Sequence, residues 1–179
     1  MITKRALLGG LGGLVCVPGA KPARAALPPM PIKRQEAYMR QAIAEARRNP
    51  MYPFGAVIVR PDTGDVMARG VNAARDNPIL HGEITCMNDY VARHGNRDWA
   101  SMALYTTGEP CSMCMSALVW AGIGGVVFAS SIDGIRAAGI EQIGLTAKQV
   151  VDASPFYKGT LQGGVLAAET DRMFLERKR

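Results

Sequence analysis

Pro110-Cys111-Ser112-Met113-Cys114, with His81-Gly82-Glu83 about thirty residues before it, is the stretch from which the rest of this 179-residue chain can be read. Cys111 and Cys114 are three positions apart, so one helical turn brings both sulfurs to a single point. Two thiols, an imidazole and a carboxylate at these spacings suit a catalytic zinc, which takes sulfur and nitrogen tetrahedrally and keeps one position for water. In that reading His81, Cys111 and Cys114 are the ligands, and Glu83 is a carboxylate beside the metal rather than on it. Two other readings of C-x-x-C stand beside it: a thioredoxin-like redox pair and half of a structural zinc ribbon. The redox pair needs neither His81 nor Glu83. The ribbon needs a fourth ligand, yet the other His is His94, and Cys86 shares a predicted helix with His81.

Outward from these motifs, helices alternate with strands. Residues 33–48 read as a helix with the apolar stripe Tyr38, Met39, Ala42, Ile43 and Ala46, stopped by Asn49-Pro50. Residues 54–59 and 66–71 read as two strands of a hairpin around Pro61-Asp62-Thr63-Gly64-Asp65. A loop leads to a helix over 81–93, a strand over 102–106, a helix over 111–121 and a strand over 125–129. Beyond Ser130 the pattern weakens. Thr146-Ala147-Lys148-Gln149 is a capping box that starts a helix, and 165–177 is a terminal amphipathic helix with Leu166, Met173 and Phe174 as core candidates. This order implies an α/β sandwich with a mixed sheet. His81 and Cys111 both fall at helix N-termini, where unpaired N–H groups and the helix dipole favour thiolate.

H-x-E followed by P-C-x-x-C is the zinc deaminase signature, and on it the chain resembles the cytidine deaminase superfamily of nucleobase and nucleoside deaminases. The resemblance implies a three-layer α/β/α sandwich with a central mixed sheet. It implies one Zn2+ and a hydrolytic reaction in which Glu83 moves protons between water, ring nitrogen and leaving amine. Pro53-Phe54-Gly55-Ala56-Val57 looks like the P-F-G-A-V strand of bacterial guanine and tRNA adenosine deaminases. Gly70-Val71-Asn72 resembles the G-x-N whose Asn bonds the base, although an Asn here is also an ordinary turn residue. Glu109-Pro110-Cys111-Ser112-Met113-Cys114 is similar to the E-P-C-x-M-C of both purine groups. Trp120, Ala138-Gly139 and Pro155-Phe156-Tyr157 have counterparts in guanine deaminases, which are domain-swapped dimers. Trp120 read without the resemblance is a packing residue.

The resemblance therefore implies a nucleobase as substrate, guanine-like first, with Phe54, Asn72, Trp120, Glu141, Gln142, Phe156 and Tyr157 around it. Guanine deaminases place an acidic residue after the Ala-Gly turn; here the order is Ile140-Glu141-Gln142, so the matching position holds Gln142 with Glu141 beside it. Gly82 between His81 and Glu83 is a feature of single-domain cytosine deaminases, the alternative. A tRNA adenosine deaminase ranks third.

The first 25 residues read as a secretory signal: Lys4-Arg5, a glycine-broken apolar run from Ala6 to Val17, and Ala23-Arg24-Ala25 as a cleavage site. Lys4-Arg5 is also close to a twin-arginine start. The apolar run is short for a bilayer-spanning anchor. The expected layout is a signal over 1–25 and a zinc deaminase domain over 26–179, exported to the periplasm, with a cytoplasmic protein as the alternative. The signal carries Lys4, Arg5, Lys21 and Arg24 and no acid, so its removal takes the net charge from +6 to +2. No basic stripe with interleaved aromatics remains, which argues against a nucleic-acid partner. Removal also leaves Cys86, Cys111 and Cys114, with Cys86 expected as a buried odd thiol beside the site. A homodimer without nucleic-acid or membrane partners is the expected assembly.

Overall fold

A computed structural model describes residue 27 and residues 29–178. The expected signal over 1–25 lies outside the described residues. The elements are α1 (Ile32–Ala46), β1 (Gly55–Val59), β2 (Val66–Val71), α2 (Gly82–His94), β3 (Ala103–Gly108), α3 (Ser112–Ala121), β4 (Gly125–Ser130), α4 (Ile132–Ala137), α5 (Ala147–Asp152), β5 (Thr160–Gln162) and α6 (Ala167–Leu175). No described helix is long and apolar enough to cross a membrane.

The strands form one sheet in the order β2-β1-β3-β4-β5. The pairs β2/β1 and β1/β3 are antiparallel, and β3/β4 and β4/β5 are parallel. Successive side chains of a strand face opposite sides. Ala56 and Ile58 of β1, Leu104 of β3 and Val126 of β4 pack with Tyr90 of α2 and with Met115 and Leu118 of α3. Val57, Val59, Tyr105, Val127 and Ala129 pack on the other side with Met39, Ala42 and Ile43 of α1. Helices cover both faces, which is why the inner strand β1 reads as an unbroken apolar run. The fold is the three-layer sandwich with a mixed central sheet.

Three glycines bring helices unusually close to the hairpin. A Cβ on Gly55 would collide with the backbone of Ala42 and Ala46 in α1, and one on Gly70 with Gly82 O and Cys86 N in α2. A Cβ on Gly82 would lie 2.6 Å from Phe54 O. The N-terminus of α2 is thus pressed against the entry to β1. The glycine that resembles the cytosine-deaminase motif has a steric cause in this chain.

The elements missed from the sequence are short. α4 contains Gly134, and β5 has only three residues, which pair with Gly125, Val126 and Val127 of β4. The terminal helix starts at Ala167 rather than 165, because the chain turns through Gly164 (φ +88°) and Leu166 (φ +58°) before it. Phe174 is fully buried, and Leu166 and Met173 pack at the edge of the α1 cluster.

Gly70→Ala should destabilise the fold by about 1–3 kcal/mol, the usual cost of forcing a methyl into a filled contact. Urea unfolding of the zinc-loaded protein reads this directly. A variant with an unchanged midpoint would contradict the close approach of β2 and α2.

Candidate active site

His81 and Cys111 occupy the same backbone position on two different helices. Each is the residue just before its helix, α2 and α3, in extended conformation (φ −66°, ψ 164° and φ −60°, ψ 167°). Neither side chain caps its own helix, so both are available to a ligand. The sequence reading had both residues opening their helices; they stand one position outside.

β3 runs parallel to β4 and α3 makes the crossover between them, so the turn through Glu109 and Cys111 lies beyond the carboxyl end of β3. Ligand sites of open α/β sheets sit at such ends. Among the described residues, His81, Cys111 and Cys114 are a group whose ligand atoms all lie within 4.8 Å of one another. His81 Nδ1 is 3.6 Å from Cys111 Sγ. Ligands of a tetrahedral zinc bound at about 2.0–2.3 Å stand about 3.5 Å apart, so the two sulfurs and one nitrogen fit that ion.

The electrostatics follow from these contacts. A hydrogen bond from Cys114 holds the Cys111 thiol down to about 4 despite burial, with His81 adding to it. Cys114 moves up, because it donates to Cys111 and is buried. The hydrogen bond with Cys111 raises His81. Glu83 is 3% exposed, and burial pushes its carboxyl above the ordinary carboxylate range. Its Oε1 accepts a hydrogen bond of 3.0 Å from Thr106 Oγ1 on β3.

A cavity of about 180 Å3 opens onto this group. Phe54, Asn72, His81, Glu83, Cys111, Glu141 and Gln142 line it. Cys114 lies behind it, fully buried. Asn72 is held in place by its own N–H to Phe54 O (2.8 Å) and by Asn49 Nδ2 donating to its carbonyl (2.9 Å). The ring of Phe54 rests 4.9 Å from that of Phe174.

Three residues expected around the base lie elsewhere in this chain. Trp120 is 79% exposed and packs against Phe156, itself exposed, with ring centroids 5.3 Å apart. Trp120 stands at the far end of α3 from Cys111, more than two helical turns away. Tyr157 is buried in the α2–α3 core, away from the cavity. Cys86 is buried as expected, and burial pushes its thiol well up; it is not in the ligand group. His94 donates from Nε2 to Met67 O at 2.9 Å, so it does not supply a fourth ligand for a structural zinc. Tyr52, Ala74, Glu109 and Ile140 also line the cavity and were not singled out. Glu109 alone carried a signal, as the first residue of the E-P-C-x-M-C stretch.

Residues 32–130 match the family model of the cytidine and deoxycytidylate deaminase zinc-binding region. The chain belongs to this family. Its zinc-binding character coincides with the converging His81, Cys111 and Cys114. The chain is 32% identical over 108 residues to a tRNA-specific adenosine deaminase of Streptococcus pyogenes, covering 58% of this chain and 67% of that protein. It is 33% identical over 98 residues to a probable cytosine deaminase of Schizosaccharomyces pombe, covering 53% and 59%. It is 30% identical over 132 residues to the guanine deaminase of Bacillus subtilis, covering 70% and 83%. The guanine deaminase structure of Nitrosomonas europaea shares the fold, with TM-score 0.71, 23% identity, and coverage of 85% of this chain and 93% of that one.

After zinc is removed by chelation, iodoacetamide near pH 6 should modify Cys111 well before Cys114 or Cys86, since only Cys111 is held down to about 4. Peptide mass mapping reads the order. Equal labelling of Cys111 and Cys114 would contradict the hydrogen bond between them.

Proposed function

We propose that this deaminase hydrolyses the exocyclic amine of a free nucleobase or related aminated heterocycle, with guanine, giving xanthine and ammonia, as the first candidate. The observation that carries the reading is Glu83: a buried, proton-favouring carboxyl on the wall of the cavity that also holds His81 and Cys111. At about 180 Å3 the cavity falls below the roughly 300–1,000 Å3 of sites for drug-sized ligands, which suits a free base.

When bound by His81, Cys111 and Cys114, zinc supplies the Lewis acidity that makes water a nucleophile at neutral pH. Glu83 accepts a proton from the attacking water and delivers it to the ring nitrogen. Its second transfer goes to the departing amine, so that water and an amino-heterocycle become a carbonyl and ammonia. Thr106 holds the Glu83 carboxyl in line for both transfers. Because its Oδ1 accepts the N–H of Ala74 (3.2 Å), Asn72 turns its NH2 to the base as a donor. Phe54 supplies an apolar face. Glu141 and Gln142 offer acceptor oxygens side by side, a set that suits ring N–H groups of a purine away from the reacting amine.

The alternative is cytosine, supported by the Schizosaccharomyces pombe relative. Its motif support through Gly82 is weaker, because Phe54 O explains that glycine. A tRNA adenosine substrate is third, since a mature charge of +2 offers little to a polyanion. We also propose export through the signal over 1–25, for which the N-terminal mass of the natural protein is the test.

A second copy of this chain is the proposed partner. α3 has no charged residue and is apolar all round, a composition that belongs to a covered helix. Its outward residues Met113 and Ala117 lead to exposed Trp120, whose ring packs at a tilt on Phe156. Trp120→Lys should convert a dimer to a monomer in size exclusion with light scattering; a wild-type monomer sinks this assignment.

Glu83→Gln should cut ammonia release by at least about 10²-fold, the scale of a lost general acid–base, while metal analysis still finds one zinc per chain. A panel of guanine, cytosine, adenine, their nucleosides and triazine analogues identifies the substrate. Retained turnover in Glu83→Gln, or no turnover of any compound by the zinc-loaded parent, overturns the proposal.

A further inference from the structure

Residues 140–142 form one side of the cavity and lie in a connection between two short helices, where Ile140 packs with Ile135 and Phe174. Their position relative to the metal ligands is also set from the ends of the connection. Glu109, 7% exposed, does this with one carboxylate. Its Oε2 accepts the N–H of Ile132 at 2.9 Å, and its Oε1 accepts the N–H of Ala147 at 2.8 Å. These are the first N–H groups of α4 and α5, donors that a helix cannot satisfy internally. Ile132 and Ala147 are buried, so water does not replace the carboxylate there. Charge-assisted bonds of this kind are the stronger class.

The other end of the tether is equally fixed. Glu109 donates its own N–H to Ser130 O at 2.7 Å, extending the β3–β4 pairing, and it stands two residues before Cys111. From outside, Arg177 donates Nη1 to Ala138 O and Nη2 to Gly139 O (3.0 Å). A carboxylate thus holds the two N–H ends of the segment, and a guanidinium holds carbonyls in its middle.

We infer that Glu109 is a positioning residue for base recognition: it fixes residues 140–142 at a set distance from Cys111 through the N–H groups of Ile132 and Ala147, and Arg177 closes the same segment from outside. The inference rests on the proposed deaminase function and adds to it which residues set substrate selectivity without carrying the chemistry. Both Glu109 oxygens are engaged by backbone donors, which separates it from Glu83, the proton carrier.

The test uses the zinc-loaded protein and two variants, Glu109→Gln and Arg177→Ala. Glu109→Gln keeps the shape but turns an NH2 donor toward one of the two N–H donors. Arg177→Ala touches neither cavity nor metal, and it decides the matter if Glu109→Gln does not fold. Hydrogen–deuterium exchange should quicken over 132–147 and stay unchanged over 81–90 and 111–118. The KM of the preferred base should rise about tenfold in Glu109→Gln, the scale of one lost hydrogen bond to a charged group, and less in Arg177→Ala. Zinc content and kcat should stay close to the parent. Unchanged exchange over 132–147, or lost zinc or kcat with an unchanged KM, overturns the inference. If the parent deaminates no compound, the proposed function falls, and the exchange result alone decides the tether.

Discussion

The parallel pairing of β3 with β4 is the constraint from which the site follows. Two parallel neighbours need a crossover, and α3 supplies it. The chain must then leave β3 at its carboxyl end, and whatever follows at once, here Glu109 to Cys111, is delivered there. The second half of the site is brought by packing rather than topology. Gly82 lets α2 press on Phe54 O, and Gly70 lets its first turns lie against β2. His81 and Glu83 therefore meet the cysteines without a dedicated loop.

Much of this could be read from the residues because zinc is demanding. A metal that requires sulfur and nitrogen at short range leaves H-x-E and C-x-x-C visible in one dimension. The stripe of α1 and the hairpin turn were equally legible, since each element's own sequence decides it. β5 was not: Thr160-Leu161-Gln162 has no pattern of its own and is a strand only because β4 pairs with it. α4 was hidden by its length and by Gly134. Glu109 was visible as part of the E-P-C motif, but its tethering contacts were not. Its partners are backbone N–H groups, which every residue carries, so no side-chain pattern announces them. Trp120 and Phe156, which the resemblance put around the base, stand together on an exposed face of the chain.

The proposed function thereby places chemistry and selectivity on different parts of the fold. The reacting side of the cavity is built from α2, β3 and α3, whose cores are shared with the sheet. The opposite side is built from Asn72 and from residues 140–142, the latter in the connection between α4 and α5. Sequence change in the second region can alter which edge of a heterocycle is matched without disturbing the ligands.

The placement of His81 and Cys111 on separate helices has a mechanical consequence. α2 rests on the β1–β2 hairpin, while α3 belongs to the parallel half of the sheet. An ion gripping both helix ends is a cross-brace between the two halves. Binding that favours only the closed arrangement adds its own free energy to folding. A chelator would therefore loosen the architecture as well as silence the reaction, and the protein's resistance to heat would track its metal supply.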